Sequence, residues 1–128
     1  MYIADGKTNG PAFSWPDGKR IAVMVTFDYD AEFLRISRAK SKGTSIGFTD
    51  FSRGQYGPHE GLARCLDMLD TMNIKSTFFV PGAVIETYRD TVEEIHRHGH
   101  ELACHGYQHE SSPELTREEM EEILDKSE

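Results

Sequence analysis

Arg20-Ile-Ala-Val-Met-Val-Thr-Phe-Asp28-Tyr-Asp30 is an apolar run that ends in two carboxylates two residues apart. The run from Arg20 to Phe27 does not alternate. That is the pattern of a strand covered on both faces, as in parallel sheets with helices outside. The sequence therefore predicts a buried strand over 20–27 with Asp28 and Asp30 at its C-terminal end.

Two further segments extend this pattern. Lys75-Ser-Thr-Phe-Phe-Val80 is β-branched and aromatic, is stopped by Pro81-Gly82, and reads as a second strand; Leu102 to Cys104 begins a short third. Between the first and second strands, Leu62, Cys65, Leu66, Leu69 and Met72 recur at helical spacing after Pro58, predicting a helix over 58–72. A second helix is predicted over 83–98, interrupted near Arg89 by an Asp90/Glu93 capping box and stopped by Gly99. Thr116 and Glu119 form another capping box, with Leu115 and Met120 as its hydrophobic staple, opening a helix that runs to the C-terminus. The strand–helix alternation argues α/β with parallel strands. Residues 1–18, with Phe13 and Trp15 as aromatic anchors, read as an irregular arm. Ala31 to Gly57, polar and glycine-rich, reads as a long connection and a candidate substrate loop.

At 128 residues the chain is about one domain in size. Fourteen basic against 22 acidic side chains give a net charge of −8 with no basic stripe, which argues against nucleic acid as a partner. No run is long and apolar enough for a membrane span, and no signal peptide is evident, so a cytoplasmic protein is expected. Cys65 and Cys104 read as small buried hydrophobes, and alternation turns Cys104 away from the face of His105.

The third strand leads into His105-Gly-Tyr-Gln-His109. Two histidines four apart on a helical turn share a face, and two histidines with a carboxylate are a ligand set for a hydrolytic metal. Side-by-side carboxylates repel unless a cation or a pKa shift relieves them. Asp28, Asp30 and His105 all fall at strand C-terminal ends, the rim where catalytic groups gather in α/β folds. The plain alternatives are strand-end carboxylates capping backbone amides and solvated histidines. For His96 and His98 a helix C-terminal turn explains the positive charge. His59 reads as solvated, near the long connection.

Thr26-Phe-Asp-Tyr-Asp30 followed by Gly99-His-Glu-Leu-Ala-Cys-His-Gly-Tyr-Gln-His109 resembles the first two motifs of the NodB-type polysaccharide deacetylases, carbohydrate esterase family 4. Ser76-Thr-Phe-Phe-Val-Pro-Gly82 fits the same pattern, and the resemblance covers about residues 16–128. It implies the N-terminal part of a distorted (β/α) barrel over 19–128. It also implies zinc or another divalent transition metal on Asp30, His105 and His109, with Asp28 as the catalytic base. The implied activity is hydrolysis of a non-peptide amide C–N bond, foremost N-deacetylation of a carbohydrate. Tyr29 between the aspartates departs from the common adjacent pair and resembles the subgroup of intracellular peptidoglycan-deacetylase-like and allantoinase- or cyclic-imidase-like proteins. Cyclic amides therefore stand beside oligosaccharides as expected substrates. Later family motifs, including a general-acid histidine, have no counterpart before Glu128. The expectation is a barrel completed by a complementary C-terminal chain or a homo-oligomer, or else a metal- or partner-binding fragment without turnover. Right-handed crossovers would leave one face of the apolar first strand uncovered.

Overall fold

The computed structural model describes residues 15–110 and 115–127. Most of the expected N-terminal arm, Phe13 included, lies outside them; Trp15 precedes a short turn at Pro16–Gly18 and is partly exposed. The elements follow in the order β1 (Thr26–Asp28), α1 (Phe33–Ser41), α2 (Phe48–Tyr56), α3 (Leu62–Met72), β2 (Thr77–Val80), α4 (Gly82–Thr87), α5 (Arg89–Arg97), β3 (Glu101–Cys104) and α6 (Arg117–Ser127). The three strands form one parallel sheet in the order β1-β2-β3. This is the α/β architecture the strand–helix alternation predicts.

The register places Thr26, Thr77 and Glu101 in one row, and Asp28, Phe79 and Ala103 in another. Side chains alternate along a strand, so these two rows share a face. The opposite face carries Phe27 and the buried Phe78 and Val80, which pack with Leu62, Leu66, Leu69, Val84, Val92 and Ile95 into the core. Phe27 and Phe78 stack with ring centroids 5.0 Å apart. The core therefore lies on one side of the sheet, with the two aspartates and His105 on the other.

Four local predictions need correction. The first strand is shorter than 20–27, and Ile21, Val23 and Met24 are 73–87% exposed rather than covered on both faces. Its partner sets the limit: the chain leaves α3 through the left-handed Asn73 and pairs only from Thr77 onward, so residues before Val25 have no ladder. The expected loop over 31–57 is two helices joined through a wider turn at Gly57–Gly61 into α3. The helix break falls at Tyr88 as expected, yet α5 starts without a side-chain cap, so the Asp90/Glu93 box does not form. Cys65 is half-buried and Cys104 exposed, because β3 is a sheet edge. The Thr116/Glu119 box is reciprocal, with bonds of 2.8 and 3.3 Å.

α2 packs on the chain after β1 through a glycine. A Cβ on Gly54 would lie 2.4 Å from the Cα of Glu32, too close for any side-chain adjustment to relieve. Gly54→Ala is expected to destabilise the fold by about 1–3 kcal/mol, the usual cost of overpacking, read as a lowered urea midpoint. Glu32 is itself buried, and the Tyr88 hydroxyl donates to its carboxylate at 2.9 Å. The Tyr29 hydroxyl shares a 2.8 Å bond with Thr91, and burial pushes its pKa up to about 12.

His100 is buried between Phe78 and Ser76, whose backbone N–H donates to its Nδ1 at 3.3 Å. Burial holds its pKa below the ordinary 6.5. A folded-state pKa below the unfolded value means that the unfolded chain binds the proton first. Stability is thus full above pH 6.5 and falls as the pH drops through that value toward the folded pKa. The melting temperature is expected to fall between pH 7.5 and 5.5, with a shallower slope in His100→Gln. Equal slopes would remove His100 as the cause.

Candidate metal centre

β1 delivers Asp30 two residues beyond the strand end, where Ala31 turns the chain at a φ of 48° into α1. The Tyr29 N–H donates to the Phe79 carbonyl at 2.8 Å, tying this exit to β2. Tyr29 points its ring into the core, so Asp28 and Asp30 face the other way. β3 delivers His105 directly after Cys104.

His109 arrives by a different route from the helical turn the spacing suggests. Residues 105–110 form a non-helical loop in which Gly106 and His109 have φ values of 70° and 60°. Glu110 clamps it by accepting from the backbone N–H groups of Tyr107 at 3.1 Å and Gln108 at 2.8 Å. Ser37 on α1 donates to the His109 carbonyl at 2.6 Å. The two imidazoles then meet edge to face with centroids 4.7 Å apart. Ser37 and Glu110 are positioning residues that pattern reading missed. Ser37 sat in the supposed loop; Glu110 offered only its place beside His109.

Asp30 reaches both histidines, with Oδ1 3.5 Å from His105 Nε2 and Oδ2 3.7 Å from His109 Nε2. One ligand-type atom from each residue lies within 4.8 Å of the others, the one such cluster among the described residues. Asp30 Oδ1 and His105 Nε2 are both buried without a hydrogen-bond partner. Their separation is too long for a good hydrogen bond. It suits two ligands of one ion: tetrahedral zinc with bonds of about 2.0–2.2 Å places neighbouring ligand atoms about 3.4 Å apart. The residues present therefore fit a divalent ion. Burial raises the pKa of Asp30 above the usual aspartate value, the two histidines and Arg38 oppose that shift, and the Asp28 charge adds to it. Asp28 is thus electrostatically coupled to the cluster while remaining exposed.

His59, His96 and Cys104 are exposed and absent from the cluster, while His98 pairs with Asp70 at 2.6 Å. Residues 16–128 match the family model described as polysaccharide deacetylase. The chain belongs to this family.

Two curated relatives bear it out. The peptidoglycan deacetylase-like protein FGM2 of Gibberella zeae is 32% identical over 110 residues, covering 84% of this chain and 32% of the relative. The peptidoglycan deacetylase of Helicobacter pylori is 36% identical over 109 residues, covering 85% and 36%. The chain thus spans about a third of the length of these relatives. A Mycobacterium smegmatis structure assigned to the polysaccharide deacetylases superposes with a TM-score of 0.80 at 38% identity, over 94% of this chain and 41% of that one. Puue allantoinase superposes with a TM-score of 0.79 at 20% identity, over 94% and 45%, which shows the shared fold alone. No described helix is long and apolar enough to cross a membrane.

Proposed function

We propose that this deacetylase-family chain carries the metal-and-base half of a hydrolytic site for non-peptide C–N bonds, acting foremost on an N-acetylated carbohydrate. The observation that carries the reading is the buried, partnerless pair of Asp30 Oδ1 and His105 Nε2 facing each other with His109 beside them. In this reading Asp30, His105 and His109 hold zinc or a similar divalent ion, and Asp28 is the catalytic base. When bound, such an ion supplies Lewis acidity toward the acyl oxygen and lowers the pKa of a coordinated water.

Asp28 stands on the same face as Asp30, exposed enough to reach an incoming water and take its proton as that water attacks the acyl carbon. Tyr29, anchored to Thr91 and to the Phe79 carbonyl, keeps the two carboxylates aimed together. Peptidoglycan deacetylase relatives favour an N-acetyl sugar, with acetate and a free amine as products. Ring opening of a cyclic amide or imide is the second reading, favoured by the aspartate spacing of Asp28-Tyr29-Asp30.

We place this activity in the cytoplasm and infer that the chain pairs with a second copy or a complementary chain along its open strand edges. Both outer strands have an open edge among the described residues, with Ile21, Val23 and Met24 exposed beside one of them, which supports such pairing. The test is acetate release from N-acetylated oligosaccharides by the zinc-loaded chain, together with ring opening of a cyclic imide. Acetate release that a chelator abolishes supports the first reading. Ring opening alone supports the second, and zinc binding with neither product indicates a non-catalytic metal-binding fragment.

A further inference from the structure

From Phe33 to Thr49 the sequence carries four basic residues, Arg35, Arg38, Lys40 and Lys42, and no acidic one, in a chain of net charge −8. Arg35 is neutralised by Asp50 at 3.3 Å. Arg53, Arg64, Arg89, Arg97 and Arg117 likewise lie 2.8–3.9 Å from carboxylates. Among the described residues, Arg38 and Lys42 have no carboxylate at salt-bridge distance, although the charge of Arg38 reaches Asp30. Both line a groove of about 290 Å³ with Ser37, Ser41 and His109, so these two cations share an opening with one of the clustered histidines.

A structural reason for cations exists here, since the end of α1 is the negative end of a helix dipole. Two of the last carbonyls of the helix already accept other donors, however. Lys42 N–H and Thr44 N–H donate to the Ala39 carbonyl at 3.1 and 2.9 Å, and Gly43 N–H to that of Lys40 at 2.9 Å. The Thr44 hydroxyl adds a bond to Ala39 at 3.2 Å. The carboxylate of Glu110, also on the groove, is turned onto the N–H groups of its own loop. Two cations without a salt-bridge partner among the described residues, together with the Ser41 hydroxyl, thus line a space next to His109.

We propose that this groove binds an anionic group of the substrate, a carboxylate or a phosphate, through Arg38 and Lys42, so that the preferred substrate is an acidic N-acyl sugar rather than a neutral one. Arg38 offers a planar fork suited to paired acceptor oxygens, and Lys42 a point charge. The Ser41 hydroxyl can supply a further donor, that of Ser37 being spent on the His109 carbonyl. The N-acyl part of this substrate rests on the deacetylase reading; the anion preference rests on the groove alone.

Calorimetric titration separates the two. N-acetylmuramic acid and N-acetylglucosamine 6-phosphate are titrated into the chain with and without zinc, beside neutral N-acetylglucosamine, and zinc affinity is measured independently. At least one acidic sugar is expected to bind about fivefold tighter than the neutral one at low salt, a margin suited to two partly exposed charge pairs. The margin narrows as salt screens it. Which acid wins distinguishes carboxylate from phosphate as the source. In Arg38→Ala/Lys42→Ala the ratio falls toward one, whereas Arg38→Lys/Lys42→Arg retains most of it. Equal affinities for acidic and neutral sugars, no measurable binding of either acidic sugar at millimolar concentration, or a preference that persists in the double alanine variant would overturn the proposal. Failure of the chain to take up zinc, with the anion preference intact, would instead sink the metal reading and leave the groove standing.

Discussion

Asp28→Asn is expected to keep zinc on the chain and to remove hydrolysis. Asparagine has almost the same shape as aspartate and cannot accept the proton of the attacking water, so a loss of about 10²–10⁴-fold in kcat is the scale for a missing general base. The effect on the ion is small because two consequences oppose each other. Removing a neighbouring negative charge weakens attraction for a cation, yet it also relieves the upward push on the pKa of Asp30, which then ionises more readily. Zinc affinity should stay within about tenfold of the parent chain. Measured together, kcat and the zinc dissociation constant decide the role of Asp28. A fall in kcat smaller than tenfold, or loss of zinc with activity, would deny it the role of base.

Asp30→Asn should have the opposite signature, because Asp30 reaches both histidines. Zinc affinity should fall by more than the about 10- to 100-fold that loss of an outer-shell partner costs. In a melting experiment, zinc at 100 times its dissociation constant stabilises the parent chain by about 2.7 kcal/mol; the variant should show almost none of that gain. Without metal the order reverses. The folded-state pKa of Asp30 lies above the ordinary 3.8, so the folded chain holds that proton more tightly than the unfolded chain does. Stability therefore falls as the pH rises through this interval, and at neutral pH the ionised buried carboxylate carries the full cost. Metal-free Asp30→Asn should consequently melt higher than the metal-free parent at pH 7, the advantage shrinking as the pH falls toward the carboxylate range. Equal zinc-induced shifts in the two proteins would remove Asp30 from the ligand set.

These two variants act on residues that were legible because their signals are local. The apolar run ending in Asp28-Tyr29-Asp30, the Phe78-Phe79-Val80 strand and the α3 leucines reflect periodicity and burial along one element. Family motifs in the same segments then name the roles. The helices at 33–41 and 48–56 were illegible for an equally physical reason. α2 makes its close approach with Gly54, whose backbone meets Glu32, so Phe51 is left as the one half-buried apolar side chain of the helix, too little to mark the period. α1 buries no residue fully, and its working contact is a serine hydroxyl on a carbonyl 72 residues away.

The sequence by itself determined the parallel α/β order, the pair of aspartates on one side of a strand and the two histidines that follow another, because strand alternation and motif spacing are properties of consecutive residues. Only the tertiary structure decided that His109 turns back on a left-handed loop rather than a helix, that Ser37 and Glu110 hold that loop, and that Arg38 and Lys42 open beside it. Those outcomes depend on which backbone and side-chain groups from distant segments satisfy one another, and periodicity along a single segment carries no record of such pairings.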